Sequence, residues 1–564
     1  MKSVNGINWK INSIPERLIL KNKQKFNISY LLSKIFLDKK YSDDEIYNSI
    51  YKLEEDKLIY NNQDFIIASK FVLDCYKNKK KILIFGDYDV DGYSSIYLLY
   101  DFFLNNNIKC DYFIPNRFSD GYGPNTILLK KLINQNIYDL IIFVDCGSNS
   151  IDEINFLESH GLKTIVIDHH QIYDQKKFEK SIIINPLKNP FDKKYSIFCA
   201  TTLVYLFIKY LMKIIKVNKK INLDKYLFFS AIATICDQMP LRGYNKMIVK
   251  KGFKNFNLNN FKNFNKLINI NKKLKSTDVG YTLGPILNSA SRLGYSYLPL
   301  SLLIEKENIK VKNISEKLIL LNEKRKKIQT KTFYLLNKNF ENLNQKVIFK
   351  FEKNLNEGLL GIIAANFVEI YNKPSFIFTN SGNLIKCSSR SVNGYNIGNI
   401  LYSAIKKKLI INGGGHSMAG GCTLEKDKLN EFEKFVNLHY IKNLKNFENI
   451  KFYTSDQNFD SLLFFAKKDF NILEPLGNNN NSPFFKLRCN KIIKYKIIKN
   501  LHLHLIIKNM HNKSCTCLAF NVIGTKLGDL LMYSKKEIDL IVQINNNIIK
   551  KNSDFNLIIK DAIA

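Results

Sequence analysis

The chain is poor in arginine: seven stand among 85 Lys and Arg residues, at positions 17, 117, 242, 292, 325, 390 and 488. The net charge of +35 is therefore almost all lysine. A basic excess points to a polyanionic partner. Lysine crowded among asparagine and isoleucine also follows from nucleotide bias in a genome, so charge alone does not establish nucleic-acid binding. Scarcity gives each arginine weight, and Arg117, Arg292 and Arg390 fall beside Gly-rich or carboxylate motifs. The ten cysteines include no CxxC pair, so neither a thiolate zinc site nor a disulfide framework is indicated. A reducing, cytoplasmic compartment is expected. No apolar run approaches the ~20 residues that span a bilayer, and MKSVNGINWK offers no apolar signal core. Histidines number eight, and two of them are adjacent.

What the chain does have is length and apolar content. At 564 residues, 45% of them hydrophobic, about three domains with a sizeable core are expected. The most informative stretch is KILIFGDYDVDG, Lys81–Gly92. Ile82–Phe85 read as a buried strand. Asp87, Asp89 and Asp91 follow at alternate positions, Gly92 closes the turn, and a helix is expected over Ser94–Phe103. Ligands of open α/β sheets collect beyond the carboxyl ends of strands. So much negative charge in one turn is costly unless a cation neutralises it; the alternative is a solvated acidic loop. Two further strand tips favour the cation: DLIIFVD, ending at Asp145, and KTIVID, running into Asp168-His169-His170. Such βα units predict a doubly wound, mostly parallel α/β sheet, with these residues sharing one crevice. Asp237, at the end of a helical stretch before Pro240, is either a last ligand or an ordinary helix C-terminal Asp. Carboxylates with imidazole suit Mn²⁺ or Mg²⁺, and two carboxylate clusters suit two ions.

Elsewhere the residues are less specific. Residues 1–80 read as a helical lead-in with a capping box at Ser42–Glu45. GPILNSASRLG, 284–294, joins small residues to Asn288 and Arg292, which suits close approach to a phosphate or a helix–helix turn. Asn308–Asn339 reads as a long connecting helix, with Lys324–Lys327 a solvated face. A second, smaller α/β domain follows. In it KCSSRS sets Ser388 beside Arg390, and GGGHSMAGG reads as a glycine-rich loop around His416 whose N–H groups suit an anion. Phe484–Leu487, Lys491–Ile498, His502–Ile507, Cys515–Phe520 and Ile538–Ile544 predict a small β-barrel, an OB-fold being the natural candidate for nucleic acid. The expected boundaries are 1–80, 81–305 (catalytic), 306–340 (connecting helix), 341–447 (second α/β domain) and 448–564 (barrel).

In order and spacing, DYDVDG, PNR…DGYG, VDCG, DHH, CDQMPL, LGPILNSASRLG, EGLLGIIA, SSRSVNGYNI, GGGHSMAGG and LEPLG resemble the DHH phosphoesterase superfamily. Within it they resemble the RecJ family of single-strand-specific 5′-to-3′ DNA exonucleases. The resemblance implies a DHH catalytic domain, a DHH-associated domain that grips the strand end, and a C-terminal OB-fold. It implies two divalent cations, Mn²⁺ or Mg²⁺, bound by Asp87, Asp89, Asp145, His169 and Asp237. His170 would face the scissile phosphate, with Asp145 beside it in catalysis. Asn288, Arg292, Ser388, Arg390 and the His416 loop would contact substrate.

The expected activity is two-metal hydrolysis of single-stranded DNA to 5′-mononucleotides, in DNA repair and recombination. The chain would act as a monomer away from any membrane, with a helicase and a single-strand-binding protein as partners. The alternatives are an oligoribonuclease or small-nucleotide phosphodiesterase of the same superfamily, and a non-catalytic DNA-binding scaffold. Four substrate-contact positions depart from the family pattern. Leu355-Asn356 replaces Trp-His, Ala365-Asn366 replaces Ser-Arg, Ile286 replaces an Arg after Gly-Pro, and Lys246 stands where Arg is usual.

Overall fold

In the computed structural model the chain opens on a short strand, β1 (Asn8–Ile11). The structure describes residues 3–51, 63–172, 178–188, 195, 197–215, 221–254, 262–267, 274–338, 345–392, 394–443, 450–509, 512–534, 536–545 and 556–563. Part of the expected lead-in, 52–62, lies outside them. Met1–Lys57, Pro240–Lys250 and Asn446–Ala564 form one compact unit, and Leu58–Met239 with Lys251–Lys445 forms another. No described helix is long and apolar enough to cross a membrane.

The second unit begins with a five-stranded sheet: β2 (Ile82–Gly86), β3 (Cys110–Phe113), β4 (Leu140–Val144), β5 (Lys163–Ile167) and β6 (Ser181–Ile184). All pairings are parallel, in the order β3-β2-β4-β5-β6. β2 and β4 are buried at every residue, as a sheet covered on both faces requires. Leu83, Phe85, Ile141, Phe143 and Val166 pack with Leu129, Leu132, Ile154 and Leu157 on one face. Ile82, Ile84 and Ile142 alternate with them toward the other, where helices Val90–Asn105 and Ala200–Ile214 meet the sheet. The strand order reverses between β2 and β4, so their carboxyl ends flank the crevice where doubly wound sheets bind ligands.

GPILNSASRLG is helical, which neither expected form anticipated. A π-helical turn, Val279–Leu283, leads into the helix Gly284–Arg292, with Pro285 in its first turn. The long helix Asn308–Lys338 follows. Its basic run is not wholly a solvated face, because Arg325 is buried and donates to Gln329 Oε1 at 2.7 Å. A mixed sheet comes next: β7 (Ile348–Phe351), β8 (Ser375–Ser381), β9 (Leu384–Arg390), β10 (Asn412–Gly415) and β11 (Ala419–Glu425), ordered β10-β11-β9-β8-β7. The glycine-rich run is therefore a hairpin, not an open loop. Gly414 pairs with Gly421 and Gly415 with Gly420, and the turn is left to His416–Met418.

In the first unit β1 pairs in parallel with β12 (Ile450–Tyr453). β13 (Ser455–Gln457) then pairs with β14 (Phe485–Ile498). β14, β15 (His502–Lys508), β16 (Ser514–Ala519), β18 (Asn556–Ile563) and β17 (Ile538–Asn545) follow one another and return to β14. They close a five-stranded barrel, an OB-like arrangement with the helix Lys526–Tyr533 between β16 and β17. The first two expected strands are one strand interrupted by bulges, and β18 supplies the fifth. The barrel core includes Leu505, Cys517 and Leu540, and the lead-in adds Leu32, Ile35 and Phe36 to it. Trp9 Nε1 donates to the buried Asp561 Oδ2 at 2.8 Å.

Candidate metal centre and phosphate cradle

Register builds the site. Gly86, Val144 and Ile167 are neighbours across β2, β4 and β5, so the residues that follow, Asp87, Asp145 and Asp168, emerge side by side. After β2 the chain turns straight into a helix. Asp89 caps it, its Oδ1 accepting from Asp91 N at 3.0 Å and Gly92 N at 3.1 Å. The helix therefore starts at Val90, four residues before the expected Ser94. Gly92 lies in its first turn, where a Cβ would collide with the Asp87 backbone. Asp145 adopts φ +60°, a left-handed conformation that costs a non-glycine residue about 1–3 kcal/mol and concentrates at functional sites. Asp237 is the C-cap of the helix Leu223–Cys236.

These elements bring the five expected ligands together. Asp87, Asp89 and Asp145 form one group of mutually close donor atoms, and His169, Asp91 and Asp237 form another. His169 Nε2 lies 3.3 Å from Asp145 Oδ1 and 3.4 Å from Asp237 Oδ2. Asp87 Oδ1, Asp145 Oδ1 and His169 Nε2 are buried without a hydrogen-bond partner. Asp91 is 3.7 Å from the same imidazole but is committed elsewhere. Its oxygens accept from Ala200 N at 2.7 Å, Thr201 N at 2.8 Å and Thr201 Oγ1 at 2.6 Å. At about 1.5–3 kcal/mol for each bond to a charged group, that makes Asp91 the anchor of the helix Ala200–Ile214.

Charge explains what the arrangement wants. Burial, then Asp89, pushes the Asp87 carboxyl well up. Burial, then Asp91, does the same to Asp145 and Asp237 and raises Asp89. Burial and the neighbouring His170 bring His169 down to about 4, so its ring is neutral and can act as a ligand. His170 differs. Burial opposes its charge, but Asp168, 2.7 Å from Nδ1, lifts it to about 10. Asp168 in turn is held below the usual carboxylate range against burial, first by His170. Its oxygens also accept from the N–H groups of His169 at 2.7 Å and Ser148 at 3.1 Å. Clustered buried carboxylates, a neutral imidazole and three unpaired donor atoms fit divalent cations.

The arginines gather on the same unit. Burial first, and then Arg117, Arg390 and Arg325, together push Arg292 down to about 9. Four of the chain's seven arginines thus stand close together. Arg292 Nη1 donates to Gly358 O at 3.0 Å. Arg390 Nη2 and Ser388 Oγ lie over Gly361, 2.9 and 3.0 Å from where its Cβ would be, at the start of the helix Leu360–Tyr371. His416 reaches His170, their rings stacked with centroids 5.9 Å apart.

Other expected contacts are spent internally. Asn288 Oδ1 accepts from Val90 N at 3.1 Å, so it braces the acidic turn. Ile286 and Lys246 are buried, and Lys246 Nζ donates to Ser49 Oγ at 3.0 Å. Asn356 Oδ1 accepts from Gly358 N at 2.9 Å, and Asn366 Oδ1 from Gln329 Nε2 at 3.4 Å. The sequence alone assigns no role to two further residues: Arg117, over the Tyr88 ring at 5.1 Å, and Tyr122. Tyr122 Oη lies 3.3 Å from His170 Nε2 and 3.3 Å from Asp145 O. Their signal was present in PNR and DGYG.

The model of the DHH family, N-terminal domain, matches residues 81–234, that of the DHHA1 domain 344–441, and that of the RecJ OB domain 445–561. The chain is 24% identical over 512 residues to the single-stranded-DNA-specific exonuclease RecJ of Bacillus subtilis, covering 88% of this chain and 63% of that one. It thus spans less than two thirds of that relative. With the single-stranded-DNA-specific exonuclease RecJ of Escherichia coli the chain is 26% identical over 392 residues, covering 65% of this chain and 67% of that one. Among solved structures, RecJ in complex with Mn²⁺ from Thermus thermophilus superposes with a TM-score of 0.82 at 20% identity, over 99% of this chain and 79% of that one. An exonuclease RecJ bound to manganese gives 0.58 at 24% identity, over 69% and 96%.

Proposed function

The chain belongs to the RecJ family of DHH proteins, and from that footing we propose that it degrades single-stranded DNA from the 5′ end to 5′-mononucleotides, by metal-dependent hydrolysis, in DNA repair and recombination. The observation that carries this reading is the convergence of Asp87, Asp89, Asp145, His169 and Asp237 around three unpaired buried donor atoms. These five residues would hold two divalent cations, Mn²⁺ or Mg²⁺. When bound, such a pair supplies an activated water and neutralises charge on the phosphate.

The chain's own residues prepare the substrate. Asp168 keeps His170 cationic, so Nε2–H donates: to Tyr122 Oη without a strand, and to a phosphate oxygen or the leaving 3′ oxygen with one in place. Arg292, Arg390 and Arg117 grip the phosphate as guanidinium forks, and Ser388 adds a hydroxyl. His416 flanks the same phosphate beside His170. The barrel tracks the strand with basic and stacking contacts. This reading keeps residues 81–305 as the catalytic domain, 306–340 as the connecting helix, 341–447 as the gripping domain and 448–564 as the barrel. It has the chain working as a cytoplasmic monomer on strands that a helicase opens and a single-strand-binding protein coats.

The test is digestion of 5′- and 3′-end-labelled single- and double-stranded oligomers with Mn²⁺, Mg²⁺ or chelator. Mononucleotides released from the 5′ end of single strands, with no activity in chelator, uphold the proposal. Cleavage of dinucleotides with long strands left intact favours a small-nucleotide phosphodiesterase, and inertness favours a scaffold.

A further inference from the structure

The barrel unit holds a cleft of about 470 Å³, lined by Asp456, Asn458, Phe459, Leu487, Arg488 and Asn490 among others. That volume falls in the range of small-ligand sites, about 300–1,000 Å³. Asn490 is 1% exposed, yet neither its Oδ1 nor its Nδ2 has a partner. Asp456 Oδ1 is likewise buried and unpaired, while Arg488 holds Asp456 Oδ2. A neighbouring polar group is already engaged: Asn458 Oδ1 caps the helix Phe459–Lys468 through Ser461 N at 2.9 Å. The unmet hydrogen-bonding capacity of the lining therefore includes two acceptors and one NH₂ group.

A backbone irregularity places Asn490 there. The register of β14 against β17 slips between Leu487 and Asn490, and Cys489 sits at φ +52°. A bulge with a strained residue re-aims the side chain beside it, and such devices gather at binding sites.

We propose that this cleft receives a nucleobase bearing an exocyclic amine, an inference that rests on the single-strand reading above. Two unfilled acceptors require two N–H hydrogens, and the amide NH₂ requires an acceptor. Cytosine offers its N4 amine beside N3, adenine its N6 amine beside N1 or N7, and guanine N1–H and its N2 amine beside O6. Thymine offers a single N–H between two carbonyls and leaves one acceptor unpaired. Phe459 and Leu487 supply apolar wall for the ring.

Fluorescence anisotropy of the full chain, without divalent cation, compares oligo(dC) with oligo(dT) of equal length. The cytosine strand binds about fivefold or more tightly. Asn490→Leu removes the preference, while its melting temperature holds or rises because two unpaired polar atoms are gone. A strand of N4,N4-dimethyldeoxycytidine binds the unaltered chain as weakly as oligo(dT), a comparison that needs no variant to fold. Equal binding of the two pyrimidine strands overturns the assignment and leaves Asn490 to a structural water. So does a preference that survives Asn490→Leu or the dimethylated base. A chain that prefers the cytosine strand but degrades no single strand upholds the cleft and overturns the nuclease reading; degradation without preference does the reverse.

Discussion

Asn288 Oδ1 accepts the backbone N–H of Val90 at 3.1 Å, tying the helix Gly284–Arg292 to the turn that carries Asp87 and Asp89. Its effect should therefore run through the cations and not through the strand. Asn288→Ala should raise the Mn²⁺ concentration for half-maximal activity about 10–100-fold, the usual scale for losing a group that orients ligands. Metal-free affinity for single strands should not change. Manganese titration of activity, paired with anisotropy in chelator, separates the two.

Gly361 gives Arg390 and Ser388 their room. Gly361→Ala puts a methyl against both side chains without harming the helix, where alanine is the better former. KM for single strands should rise about tenfold or more while kcat holds, if the displaced groups position the phosphate as proposed. Equal loss in kcat and kcat/KM would instead place them at the transition state.

Asp38 gives the barrel unit a pH dependence. Burial raises its carboxyl from 3.8 to about 6, against hydrogen bonds from Thr454 and Asn12. The folded form keeps the proton longer than the unfolded chain. The group's contribution to stability is therefore greatest below about pH 4, is lost as pH rises through about 6, and stays low above. Full burial would make this about 3 kcal/mol; partial exposure reduces it to about 1 kcal/mol. Asp38→Asn should gain about that much at pH 7.5 in urea unfolding, and the gap should close toward pH 4.

Removing metal should reveal the repulsion inside the cluster. With Mn²⁺ at 100 times its Kd, the protein should gain about 2.7 kcal/mol. Asp145→Asn relieves like-charge crowding in chelator, so its metal-free melting temperature should equal or exceed the parent's. Its response to Mn²⁺ should vanish. Thermal melts with and without Mn²⁺ check both.

The acidic tips were legible because strand ends and carboxylates coincide in the sequence at Asp87, Asp145 and Asp168, and parallel register makes them neighbours. The scarce arginines were legible for a similar reason, three of the four in the cluster standing beside motifs. What sequence concealed was commitment. Nothing in DYDVDG says that Asp91 spends its oxygens on Ala200 and Thr201, 109 and 110 residues away. Asn288 and Lys246 are likewise claimed by distant partners, Val90 and Ser49. GGGHSMAGG looked like a loop because glycine suppresses strand propensity, yet cross-strand pairing made it a hairpin. The bulge at Cys489 split one strand into two in the sequence pattern, and β18 follows a Lys- and Asn-rich stretch that carried no strand signal.

Separate strand tips and one helix end would together build a two-cation centre. The direct measurement is an anomalous difference map from crystals soaked in MnCl₂. Two peaks are expected, each touching some of Asp87, Asp89, Asp145, His169 and Asp237, and neither present in Asp145→Asn crystals at the same occupancy. A map without a peak among those five side chains, at Mn²⁺ concentrations that support activity, would contradict it.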